Sequence, residues 1–96
     1  MATFISTIRF TDQGAKAVGE TTRRAKEVSD SAGSMGIKVH NIYWTLGEAD
    51  GLLVFEAPDE EAAAALMLKV AAAGNVLTQT KRAFTADEMD QLLAKS

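Results

Sequence analysis

Apolar residues along this chain switch between two spacings, and the switches coincide with turn-forming residues. Phe4, Ile5, Ile8 and Phe10 make Thr3 to Phe10 a predicted strand, with Ser6 and Thr7 softening its alternation. Thr11 or Asp12 is then a natural N-cap. Beyond it Ala15, Val18, Ala25, Val28, Ala32 and Met35 recur at roughly helical spacing and share one stripe. Gly14, Gly19 and Gly33 weaken that helix locally, and Gly36 is a natural stop. Ile37 to Leu46 and Leu52 to Ala57 read as a hairpin around Gly47-Glu48-Ala49-Asp50-Gly51. Asp59 caps an alanine-rich helix that carries Leu66, Met67, Leu68 and Val70 and ends at Gly74. Val76 to Phe84 is the last predicted strand. Thr85 and Glu88 then make a capping box for a short final helix with Met89, Leu92 and Leu93 on it.

This order predicts an α+β, ferredoxin-like βαββαβ fold with a short C-terminal helix, as one domain over residues 1–96. Right-handed crossovers place both main helices on one face of a four-stranded antiparallel sheet and leave the other face bare. Closing the hairpin with Leu46 opposite Gly51 sets Trp44 against Leu53, Ile42 against Phe55 and His40 against Ala57. One face then carries Ile42, Trp44, Leu46, Leu53 and Phe55 as the core. The other carries Val39, Asn41, Tyr43, Thr45, Leu52, Val54 and Glu56, which is too apolar for open water. Such a face is buried against a second copy of the chain, as a homodimer or higher oligomer, or it forms a ligand cleft; the two are compatible. In the last strand neither Val76, Thr78, Thr80, Arg82 and Phe84 nor Leu77, Gln79, Lys81 and Ala83 is cleanly apolar. Its orientation stays open at this level.

Composition narrows the function classes. With 96 residues, about 60–65% of the unfolded surface is buried on folding, so self-association would add stability. A net charge of −3 with both signs interspersed argues against nucleic acid and against anionic membrane surfaces as partners. The absence of cysteine removes disulfides, thiol nucleophiles and thiolate metal sites, and fits a cytoplasmic location. The N-terminus lacks the pattern of a secretory signal, and the apolar stretch from Ala62 to Gly74 is too short to span a bilayer. No cofactor is expected. With a single histidine, a zinc or copper site is not expected either, and Asp50, Asp59 and Glu60 would be too solvated to hold a metal tightly.

Chemistry-bearing residues are few. His40, by parity, falls with Ile42 and Trp44 and away from Glu56, which gives it a structural or solvent-exposed role. Glu56, on the bare face, is a candidate base if a partner encloses it, or an ion-pair partner for Arg82. Asn41 and Tyr43 share that face and offer an amide and a phenol to a ligand. Thr78, Thr80 and Arg82 either line an enclosed polar pocket suited to an anion or decorate a solvated edge. No phosphate-binding glycine loop, nucleophile elbow or basic aromatic RNA-binding signature occurs.

Over nearly its whole length the chain resembles the GYD domain family. The matching positions are Thr11-Asp12-Gln13-Gly14, Tyr43-Trp44-Thr45-Leu46-Gly47, Asp50, Glu56-Ala57-Pro58-Asp59, Gly74-Asn75-Val76, Thr78, Thr80 and Arg82-Ala83-Phe84. One departure stands out: the family has tyrosine before the hairpin aspartate, where this chain has Ala49 before Asp50. The resemblance implies a ferredoxin-like fold that looks like the dimeric α+β barrels, and it implies no established activity. The expected function is therefore a homo-oligomeric small-molecule-binding or interaction module. The alternatives are a cofactor-independent enzyme resembling the small monooxygenases, using Asn41, Tyr43, Glu56 and Arg82, and a ligand-responsive regulator.

Overall fold

Caps and turn residues cut the chain where the sequence places them. The computed structural model describes residues 1–96 and contains β1 (Ala2–Phe10), α1 (Asp12–Lys16), a 3-10 turn (Val18–Glu20) and α2 (Thr21–Ser34). These are followed by β2 (Lys38–Trp44), β3 (Gly51–Ala57), α3 (Glu60–Ala72), β4 (Val76–Ala83) and α4 (Ala86–Lys95). The Thr11 hydroxyl accepts from the Gly14 N–H (3.1 Å), and the Asp59 carboxylate accepts from the Ala62 N–H (2.8 Å). Both arms of the Thr85–Glu88 capping box are present. The single helix expected after β1 is broken into two. The chain leaves α1 at Ala17, makes a 3-10 turn through Gly19 and restarts at Thr21, where glycine and a β-branched valine favour helix least. Arg24 staples the break, donating to the Ala17 carbonyl (3.0 Å) and the Gly14 carbonyl (3.4 Å).

The strands form one antiparallel sheet in the order β2-β3-β1-β4, so the fold is the α+β, ferredoxin-like arrangement. On β3, Leu53, Phe55 and Ala57 are buried while Leu52, Val54 and Glu56 are half-buried, which separates a helix-covered face from an open one. Phe4, Leu53 and Phe55 meet Ala32 of α2 and Ala63 and Leu66 of α3 in the core, with the Phe4 and Phe55 rings stacked 5.5 Å apart. Register settles the fourth strand: Val76, Thr78, Thr80 and Arg82 lie opposite Phe10, Ile8, Ser6 and Phe4 and so share the helix face. Ser6 is the one polar residue buried there. Its hydroxyl lies 2.6 Å from that of Thr80 and 3.3 Å from the Met67 sulfur. A serine has one proton, so Thr80 donates to Ser6 and Ser6 to the sulfur. No helix is long and apolar enough to cross a membrane.

The hairpin departs from the expected register by two residues. Trp44, and not Leu46, lies opposite Gly51, and Ile42 lies opposite Leu53. The reason is a longer loop: Thr45 N–H donates to the Asp50 carbonyl (2.9 Å) and the Thr45 hydroxyl to the Ala49 carbonyl (2.7 Å), which closes the turn early. Leu46 is consequently in the loop and fully exposed, outside the core assigned to it. Trp44 keeps the expected face but sits at its rim, 46% exposed. A β-bulge between Val39 and Asn41 then reverses parity, so Val39 lies opposite Phe55 and packs on the core, away from the open face.

Candidate functional site

A cleft of about 250 Å³ lies between α2 and α3, floored by the helix face of the sheet. Its walls are apolar: Ala25 and Val28 come from α2, Leu66 and Val70 from α3, and Ile42 and Leu53 from the sheet. These are the residues that the helical spacing and strand alternation point inward. Alanines dominate α3, and α2 contributes the small Ala25 and Ser31, which leaves space that bulkier side chains would fill. At its mouth the Trp44 indole N–H donates to the Thr21 hydroxyl (3.0 Å), which fixes the ring against the start of α2.

The six residues singled out by the sequence do not converge. Asn41, Tyr43 and Glu56 stand on the open face, whereas Thr78, Thr80 and Arg82 stand on the helix face, with the sheet between the two sets. Asn41 donates to the Tyr43 hydroxyl (3.0 Å). Glu56 faces His40 at 3.0 Å, with both side chains about one-third exposed. This reverses the expected separation of the two: the bulge at Val39/Asn41 turns the His40 ring toward the carboxylate. Nor does Glu56 pair with Arg82. The Arg82 guanidinium lies 4.4 Å from the Phe84 ring centroid and donates to the backbone carbonyls of Thr3 (3.2 Å) and Ala83. It also pairs with Glu88 at 3.2 Å. The Thr85 N–H, and then Arg82, hold the Glu88 carboxyl below the usual carboxylate range. Of the three β4 residues, only Thr78 lines the cleft, and its hydroxyl makes no hydrogen bond within the chain.

Two further groups, quoted from the sequence as recurring motif positions, turn out to hold the fold together. Thr11 N–H donates to the Asn75 carbonyl (3.1 Å), the Thr11 hydroxyl to the Gly74 carbonyl (2.7 Å), and the Gln13 amide to the Ala73 carbonyl (3.0 Å) and the Asn75 side chain (2.9 Å). Gly14 packs so closely on the Asn75 carbonyl that a Cβ there would overlap it. Asp50 does the same work on the other flank of β1, at the same end of the sheet: its N–H donates to the Ile8 carbonyl (2.8 Å) and its carboxylate accepts from the Phe10 N–H (2.9 Å). The cleft itself was missed at the sequence level, because the inward-facing stripe reads there only as core.

The GYD domain family model matches residues 4–93, so the chain belongs to that family. No curated protein and no solved structure shows a significant match to it.

Proposed function

For this GYD-domain chain we propose a small-molecule-binding module that works as a homo-oligomer. The observation that carries the binding reading is the apolar cleft between α2 and α3, where convergent side chains surround a volume that the core leaves unfilled. An apolar cavity of roughly 150 Å³ takes a benzene ring, so about 250 Å³ accommodates a ligand of about ten non-hydrogen atoms. The test is a thermal-shift screen of small aromatic and alicyclic metabolites, since a ligand that binds only the folded chain raises its melting temperature by mass action. Ala25→Leu and Val28→Phe narrow the cleft from α2 and should abolish the shift while the far-ultraviolet spectrum is retained. A shift that survives both substitutions locates the ligand elsewhere.

Self-association is supported by a separate observation. The open face exposes Leu77 and Tyr43 beside half-buried Ile5, Leu52 and Val54, and every residue of α4 except Glu88 is exposed. Met89, Leu92 and Leu93 nonetheless share one stripe of α4, flanked by Asp90. The open face carries Arg9, Lys38 and Lys81 against the single carboxylate Glu56, so it is locally positive in a chain of net charge −3. A second copy therefore offers both the apolar surface and the complementary charge that α4 and the open face lack at home. Sedimentation of the full chain should show a dimer or larger species, and Leu77→Glu should shift it toward monomer. A monomer at every accessible concentration overturns this half of the reading.

A further inference from the structure

Resting on the cleft reading, we infer the class of molecule the cleft takes: a neutral, largely apolar compound that presents one hydrogen-bonding group to Thr78. Hydrogen bonds within the chain engage most polar groups around the cleft. Both terminal nitrogens of Arg24 donate to backbone carbonyls, at 3.0 and 3.4 Å. The Thr21 hydroxyl accepts from Trp44 (3.0 Å), the Asn75 amide oxygen accepts from Gln13 (2.9 Å), and Glu27 pairs with Arg23 (2.5 Å). Asp50 already accepts from the Phe10 N–H.

Charge points the same way. The ionic groups around the cleft are Arg24 and Lys69 against Glu27 and Asp50, so the lining has no excess of either sign. Lys69 is exposed on α3, where water solvates it, whereas Asp50 is half-buried beside the sheet. A carboxylate or phosphate entering the cleft would lose its hydration, meet an arginine whose terminal nitrogens are already donating, and approach the Asp50 carboxylate. A neutral ring system loses little on entry and covers apolar wall. Thr78 differs from its neighbour Thr80, whose hydroxyl is taken by Ser6. No buried polar side-chain atom lacks a partner, so the free Thr78 hydroxyl reaches the cleft space. It donates to a carbonyl or accepts from a hydroxyl or N–H.

The full chain is titrated calorimetrically with naphthalene, 1-naphthol and 1-naphthoate, and backbone amide shifts at Val28, Val70 and Thr78 report where each binds. Binding of 1-naphthol at least tenfold tighter than 1-naphthoate is expected. Thr78→Val should weaken 1-naphthol about 2- to 10-fold, as expected for one lost hydrogen bond, and leave naphthalene unchanged. Equal or tighter binding of 1-naphthoate at the same amides overturns the neutral class while leaving the cleft as a site. An unchanged 1-naphthol affinity in Thr78→Val removes Thr78 as the anchor. If none of the three moves those amides, the cleft reading falls together with this one.

Discussion

Phe55 and Val54 are neighbours on β3, yet they meet opposite environments. The Phe55 ring is wholly buried, stacked on Phe4 under α2 and α3, whereas Val54 lies half-exposed on a face that no helix of its own chain covers. One face of the sheet is finished by the chain that makes it; the other is not. Stability therefore resides on the helix-covered face, and the open face is where a partner would add burial. Polar groups follow the division in part: Ser6 is wholly buried on the helix face against the exposed Thr80, while His40–Glu56 and Asn41–Tyr43 remain partly in water.

The most direct way to break the comparison is to truncate each side in turn. Phe55→Ala should lower unfolding free energy by about 3–5 kcal/mol in urea titration, the cost of an unfilled aromatic site. Val54→Thr keeps the β-branched shape and should cost under about 1 kcal/mol in dilute monomer. A Val54→Thr loss that grows with protein concentration would sharpen the contrast by assigning the open face to a second copy.

Glycines give a paired test of the seam between α1 and the α3–β4 turn. Gly14→Ala drives a Cβ into the Asn75 backbone and should cost roughly 1–3 kcal/mol. Gly33→Ala, in α2 with open space around it, should instead raise stability by about 0.5–1 kcal/mol. Equal signs at the two positions would show that the seam yields.

The smallest effect belongs to α4. Its first turn is tied to the body through Arg82 and Glu88, and the Glu88 carboxyl is held below its ordinary range by the Thr85 N–H and Arg82. Because the folded form binds this proton more weakly, the contribution is complete above the unfolded value of about 4.3 and disappears as pH falls through the lower folded value. Part of the helical signal should therefore fade on acidification through that window. Glu88→Gln should show the weaker signal at neutral pH and lose this component of the pH dependence.

Much of this architecture was legible in the residues themselves. Thr11, Asp59 and Thr85 cap helices because a short oxygen side chain before an apolar stripe satisfies the first free N–H groups, and that is a local fact. Alternation in Leu52 to Ala57 separates Leu53 and Phe55 from Val54 and Glu56 for an equally local reason. β4 was not legible. Its two sides are similarly mixed, so only pairing with β1 assigns Thr78, Thr80 and Arg82 to the helices.

Local pattern alone sets the order of strands and helices, the ferredoxin-like arrangement and the presence of one face without cover, but not the break at Ala17–Glu20 that divides the first helix. Tertiary structure decided the rest: the early closure of the hairpin at Thr45–Asp50, the bulge that brings His40 to Glu56, and the capture of Arg82 by Glu88. It also decided that α2 and α3 stand far enough apart to leave a cleft. Periodicity records which side of an element is apolar, and that follows from neighbours along the chain. Register, bulges and voids depend on which distant atoms meet, and no spacing within a single strand or helix carries that information.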